Sequence, residues 1–275
     1  MLIYSRILNL QRKERLREMA YTEIDRANKK IKLYYATNKP VPKIKEWQDE
    51  LNEYEIEIIP QNTITNEQMK LCYVLFDQFA NSKGWDLDYT KNYFKALFGA
   101  IHEISNFSLS PMKKNALTLE QATNFIQFII EFAIEQDVNL YILDPRDKRA
   151  RHIREIVPDI QRYVISCLRK RICCICGKPH NEYNTVDLEH YDNVNEIGGY
   201  EFDTGLETRF LSLCRQHHSE IHNIPKQEFL EKYHLEAVYL NERLIYELLE
   251  VYPNHFKLFR KRLKEGYYRG IIKEE

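Results

Sequence analysis

Between residues 65 and 133 the apolar positions recur every three or four residues. Leu71, Val74, Leu75 and Phe79 share one face of a helix that Thr65 opens, and Gln68, three positions on, completes a capping box. Thr118 and Gln121 repeat that signature ahead of Ala122, Phe125, Ile126, Ile129, Ile130 and Ala133, a broad buried stripe. "GWDLDYTKNYFKALFGAI" reads as a turn and a helix between them, and "SNFSLSPMKKNA" as a polar connection with room for a short strand. "EYEIEIIP" alternates charged and apolar residues, the pattern of a strand with one wet face. The Lys- and Arg-rich stretch "LQRKERLREMAYTEIDRANKKIKLYYA" is expected to be helical, ending at the extended connector "TNKPVPK".

Pro145 marks the expected boundary of this first region. A basic helix ending in "QRYVISCLRKR" follows it. "PKQEFLEKYH" starts another helix with Pro225 near its first turn, and "NERLIYELLEVYPNHFKLFRKRLKEGYYRG" reads as helix, turn at Pro253, helix. With only eight glycines in 275 residues, an all-β protein built on tight turns is disfavoured, and the length suits two domains. No internal repeat or low-complexity segment is present. The expectation is an α+β, mainly helical chain: residues 1–145, a second module at 146–235, and a C-terminal helical extension at 236–275.

Charge changes the picture only locally. The net charge is −1, but residues 144–178 hold ten basic residues against four acidic ones, and "KLFRKRLKEGYYR" is basic too. Such runs are usually solvated faces. This one leads into a candidate metal site, which makes Arg149, Arg151, Arg169, Lys170 and Arg171 candidate phosphate contacts. Arg6 breaks the only apolar start, "QRKER" follows it, and no uncharged run could span a bilayer. Three of the six cysteines fall within four residues, too close for a disulfide framework. A cytoplasmic protein with reduced thiols, in the host cell if phage-encoded, is expected.

The chemistry sits in "CCICG" and "LCRQHHSEIH". Cys173 and Cys176 form a C-x-x-C knuckle with Gly177 free to turn, and Cys214 and His217 repeat the spacing. Together they make a Cys₃His set suited to structural Zn²⁺. On a helix, His218 and His222 lie at i and i+4, rotated roughly 100° from His217, so they are free for a second, catalytic metal. "VDLEHYD" offers Glu189 as an oxygen ligand and His190 as a general base. Neighbours on a strand point to opposite faces, so a bend is needed for both to serve one substrate. The bland alternative for His218 and His222 is a solvated helix face. Cys72, Cys167 and Cys174 read as inert packed thiols, and His180 as a loop residue.

These residues resemble the HNH, or ββα-metal, endonuclease family, and within it phage-encoded members. The resemblance covers about seventy residues: Cys173-x-x-Cys176, Glu189-His190, then Leu213-Cys214-Arg215-Gln216-His217-His218 and His222. It implies His190 as the base that activates water and Glu189, His218 and His222 as ligands of a catalytic Mg²⁺, Mn²⁺ or other divalent ion. The implied products carry a 5′-phosphate and a 3′-hydroxyl. One departure stands out: the family's central Asn is Arg209 here, which cannot ligate a cation but could brace a loop or contact phosphate. Residues 54–145 are similar in pattern to the phage NinB (Orf) recombination-mediator family. That likeness implies single-stranded DNA binding, a homodimer, and a single-strand-binding protein or recombinase as partner. The readings left open are a nuclease of phage recombination or replication acting on single-stranded, branched or duplex DNA, a non-cleaving mediator with a purely structural zinc module, and a zinc protein that binds only other proteins.

Overall fold

The computed structural model describes residues 19–25, 27–36, 54–143, 149–268 and 270. Its helices and small sheets form an α+β, mainly helical protein. The chain divides into two compact units, residues 1–126 and 127–275. The expected boundary at Pro145 lies outside the described residues.

The first unit begins with β1 (Met19–Asp25), β2 (Lys30–Ala36) and β3 (Glu55–Gln61). β1 and β2 are antiparallel, and β2 runs parallel to β3. This corrects the helix expected over 10–36, of which residues 10–18 are not described. Period-two burial overrode the helix-forming composition: Ile31 and Leu33 are buried while Lys30 is exposed. Asp25 supports the reversal by accepting from the backbone N–H groups of Ala27 and Asn28, each at 3.1 Å.

α1 (Asn66–Lys83) starts at the expected capping box, Thr65 and Gln68 bonding to each other's backbone at 3.0 Å in both directions. α2 (Leu87–Ile101) is capped by Asp86. α3 (Leu119–Glu135) opens on the Thr118–Gln121 box, and the division between the units falls within it. The first unit's core is aromatic. Phe79 meets Phe94 edge-on with ring centres 5.0 Å apart, and Phe98 meets Phe125 at 4.9 Å. Each buried ring contributes about 1.5–3 kcal/mol.

The second unit starts with a small antiparallel hairpin, β4 (Tyr141–Leu143) and β5 (Ala150–His152), that the residue pattern did not suggest. α4 (Ile160–Lys170) is the expected basic helix, and it stops because Arg171 turns left-handed at φ 50°. β6 (Val186–His190) and β7 (Arg209–Cys214) pair antiparallel, and α5 (Arg215–Ile221) leaves directly from β7. This is a ββα arrangement. β8 (Val238–Tyr239) extends the sheet along β7. α6 (Lys226–Tyr233), α7 (Glu242–Val251) and α8 (Lys257–Lys264) complete the unit, with Pro225 at the N-cap of α6 rather than inside it. Tyr163, Phe210, Phe229 and Phe259 are fully buried, and so are Cys72, Cys167 and Cys174. Among the described residues, no helix is long and apolar enough to cross a membrane.

Candidate active site and metal centres

Two separate ligand clusters form around the ββα unit. The first is Cys173, Cys176, Cys214 and His217, whose ligand atoms all lie within 4.8 Å of one another. The knuckle is built as the spacing suggested. Gly177 takes φ +68° and donates to Cys173 O at 2.8 Å. Cys174 N–H then donates to Ser212 O at 2.9 Å, tying the knuckle to β7. Cys214 ends β7 and His217 lies one turn into α5, so the strand-to-helix junction brings the second pair to the first.

The distances fit a tetrahedral ion. With Zn–S near 2.3 Å and Zn–N near 2.0–2.1 Å, the edges of a tetrahedron are about 3.8 Å for S···S and about 3.6 Å for S···N. Cys176 Sγ and Cys214 Sγ are 3.9 Å apart, and His217 Nδ1 lies 3.4 Å from Cys173 Sγ and 3.3 Å from Cys214 Sγ. The Cys173 thiol and neighbouring His217 hold the Cys176 thiol well below the usual range, outweighing its burial. Thiolate is the form a metal takes. This cluster could bind zinc.

The second cluster is Glu189, His218 and His222. Glu189 Oε2 lies 2.9 Å from His218 Nε2 and 3.4 Å from His222 Nε2. Adjacent ligands of a divalent ion with bonds near 2.1 Å stand about 3.0 Å apart in an octahedron, so the two distances from Glu189 are of the size that shared ligation would give, and the three residues could hold a metal ion. Glu189 is buried, whereas the His222 side chain is 55% exposed, which leaves the cluster open on one side. Asp187, two residues before Glu189 on β6, accepts from His218 Nδ1 at 2.9 Å. That bond turns Nε2 toward Glu189, as an outer carboxylate does for a metal-bound histidine. Glu189 first, and Asp187 with it, raise the pKa of His218 above its ordinary value despite partial burial.

His190 ends β6, and its side chain is 7% exposed. Its Nε2 lies 2.7 Å from Oδ2 of Asp203, which is 4% exposed. Burial alone would raise the Asp203 carboxyl, but the bonds from His190 and from Gly205 N–H (2.8 Å) outweigh it and hold it below the usual range. An ionised acceptor takes the proton on Nε2, and in the neutral form of the ring that leaves the lone pair on Nδ1. Despite their opposite strand parity, Glu189 and His190 both line one cleft of about 590 Å³. Lys226 fastens the turn after His190 by donating to His190 O at 3.1 Å and to Tyr191 O.

Arg209 stands at the start of β7, not in the cleft. Its Nε and terminal nitrogen donate to the two oxygens of Asp192 at 3.1 and 2.6 Å, and its backbone N–H donates to the same carboxylate at 2.8 Å. The guanidinium also lies 4.6 Å from the Tyr191 ring centre. It braces the loop that follows His190.

The basic lead-in residues have protein partners of their own. Arg151 pairs with Glu155 at 3.5 Å, Arg169 with Glu247 at 2.8 Å and Lys170 with Asp137 at 3.4 Å, all at least partly exposed. Arg149 is exposed. Arg171 is held inside the fold, donating to Val186 O at 3.0 Å and Val251 O at 3.2 Å. His180 is an exposed loop residue that accepts from Val186 N–H at 3.1 Å.

Four residues around the cleft were missed in the sequence: Asp187, Asp203, Lys226 and His255. Asp187 was visible inside "VDLEHYD", two residues before Glu189 on one strand face. Asp203, Lys226 and His255 carry no local signal, since long loops and a helix–helix turn bring them in. His255 lines the cleft from the turn between α7 and α8, its ring centre 6.2 Å from that of His190. Burial, then the nearness of His190, lowers its pKa to about 4.

The second unit thus holds a ββα arrangement, a Cys₃His cluster that could bind zinc, and a carboxylate–imidazole cluster next in the chain to a buried His–Asp pair. Residues 44–250 match the family model described as "Putative HNHc nuclease", and the chain belongs to that family. Neither the NinB likeness nor a phage source finds support in these comparisons. No curated protein and no solved structure matches significantly.

Proposed function

We propose that the protein is a metal-dependent DNA endonuclease that hydrolyses phosphodiesters in the cleft beside β6 and α5, with His190 as general base. One observation carries this reading. A buried imidazole held by Asp203 stands next to a carboxylate oxygen shared by two further imidazoles, and folding a zinc module requires none of these groups.

Asp203 keeps the proton on His190 Nε2, and Nδ1 takes one from the attacking water. As His190 becomes cationic, the Asp203 carboxylate offsets its charge. Glu189, His218 and His222 would hold one divalent ion, Mg²⁺ or Mn²⁺, which supplies charge stabilisation at the phosphoryl and departing oxygens. Asp187 keeps His218 in the ligating tautomer. Cys173, Cys176, Cys214 and His217 would hold Zn²⁺ and so fix where α5 leaves β7. Arg149, Arg151, Arg169 and Lys170 contact the DNA backbone, the last three by exchanging ion pairs at the surface, each worth at most about 1 kcal/mol, for phosphates. Arg171 and Arg209 serve the framework instead. The finer form of the proposal, a role in phage recombination or replication with a single-strand-binding protein or recombinase as partner, rests on the pattern likeness of residues 54–145 and on the phage-encoded members that the Cys/His motif resembles, and its cytoplasmic setting on the reduced thiols.

The rival is a binding protein that has lost cleavage, and Arg209 at the family's Asn position is the feature that favours it. Arg209 bracing the loop after His190 weakens that argument. Nicking assays on supercoiled, single-stranded and branched DNA with Mg²⁺ or Mn²⁺ separate the two. Wild type is expected to cut, and His190→Ala to lose at least about 10²-fold in rate. A variant that cuts as fast as wild type removes the mechanism.

A further inference from the structure

The loop that joins β6 to β7 carries two large aromatic side chains in water. Tyr200 is 69% exposed and Phe202 63%. Neither is needed for the core, yet the turn that bears them is built. Asn193 caps a short 3₁₀ turn at Val194–Ile197, and Gly198 and Gly199 follow with φ +95° and +100°. Gly199 N–H donates to Val194 O at 2.9 Å, and Phe202 N–H to Gly199 O at 3.0 Å. A Cβ on Gly198 would stand 3.2 Å from the Phe202 ring, so that ring rests against bare backbone. The turn that carries Tyr200 is therefore held in place at little further entropic cost.

The position of Tyr200 relative to the chemistry gives it a use. The Tyr200 ring stands nearly perpendicular to the His190 ring, with centres 5.3 Å apart. Tyr200 lines the same cleft as Glu189 and His218, and so do the cationic Arg215 and Lys226. Exposed rings next to cations in a phosphate-sized cleft are what a flexible strand needs: charge for its backbone and a flat surface for a base. In a duplex both faces of each base are already stacked and its edge is paired. A base next to the phosphate under attack can reach Tyr200 only if it is unpaired.

We infer that Tyr200, carried on the turn that Phe202 packs against, is a stacking platform for an unpaired nucleobase flanking the scissile phosphate, so that the cleft selects single-stranded or frayed DNA over intact duplex. The inference rests on the nuclease reading of the same cleft and names its substrate class.

The test compares wild type, a Tyr200→Ala/Phe202→Ala double variant and Tyr200→Trp on one oligonucleotide sequence, offered as a single strand, as a duplex, and as a single strand with abasic sites around the mapped cut. Binding by fluorescence anisotropy at fixed salt, with no divalent ion added, is read separately from cleavage. The double variant is expected to bind and cut the single strand about tenfold less well, with duplex binding unchanged. Abasic sites should impose the same loss on wild type and no further loss on the double variant, and Tyr200→Trp should retain wild-type behaviour. Equal losses on both DNA forms, no loss at all, or failure of the wild type to bind a single strand overturns the platform. If single-strand binding shows the aromatic dependence but no substrate is cut, the platform stands and the nuclease reading fails. Cutting that ignores the aromatics gives the reverse.

Discussion

Asp203 makes the sharpest prediction at the scale of single residues. It is almost fully buried, and its bond to His190 selects which ring nitrogen is basic. Asp203→Asn preserves the shape but can present an N–H to Nε2, favouring the other tautomer. The expected result is a fall in kcat of roughly 10²–10⁴-fold with KM little changed, read by steady-state cleavage kinetics. An unaltered kcat would show that Asp203 only packs against the ring. Asp192 tests the Arg209 brace. The Arg209 side chain first, and its backbone N–H with it, hold Asp192 below its ordinary value of 3.8. A depressed carboxylate stabilises the fold above that value and loses its contribution as pH falls through the lowered one. Asp192→Asn should therefore cost about 1 kcal/mol at pH 7, with the gap to wild type closing in the acid range, measured by urea unfolding at both pH values.

At the scale of elements, the turn between α7 and α8 supports the base from behind. Phe256 is buried there, and its ring centre lies 5.7 Å from that of Phe210 on β7. A Cβ on Gly205 would stand 2.6 Å from the Phe256 ring, and Gly205, at φ +83°, is the residue whose N–H holds Asp203. Gly205→Ala is expected to lose about 1–3 kcal/mol of stability through backbone strain and displacement of the ring. It should also reduce cleavage, because the Asp203 bond moves with the loop. Thermal melting and cleavage rate measured on the same preparation check this. Full stability with full activity would mean that the turn absorbs the methyl group freely.

At the scale of the whole molecule, the two units owe their stability to different things. Residues 66–126 are held by interlocking phenylalanines, whereas the second unit has its own apolar core and a Cys₃His cluster that could bind zinc. Zinc chelation, or Cys214→Ser, should therefore abolish hydrogen-exchange protection across residues 171–222 while α1 and α2 keep theirs. Uniform loss, or none, would contradict a structural metal in that cluster. The net charge of −1 gives no global attraction to DNA, so any binding must come from local cationic faces and weaken with salt.

Several features were legible in the residue order because their causes are local. The capping boxes at Thr65 and Thr118 act over three residues, and helical spacing marked the buried face of α3; on α1 it found Leu75 and Phe79, but Val74 is exposed and Leu71 half-buried, and Cys72 and Phe76 complete the buried face instead. The paired C-x-x-C and C-x-x-H intervals picked out the four residues that converge, and the i, i+4 spacing of His218 and His222 set them apart from His217. The hairpin over residues 19–36 was misread because Lys- and Glu-rich composition suits a helix, while burial of alternate residues against partner strands favours β structure. The rest depended on the folded chain. Asp203 reaches His190 across a thirteen-residue separation, Lys226 returns from α6 to fasten the turn after His190, and His255 arrives from the far end of the sheet's covering helices. No spacing rule encodes such pairs, because a buried hydrogen bond depends on where loops close and on what the core leaves room for, and neither is a property of neighbouring residues.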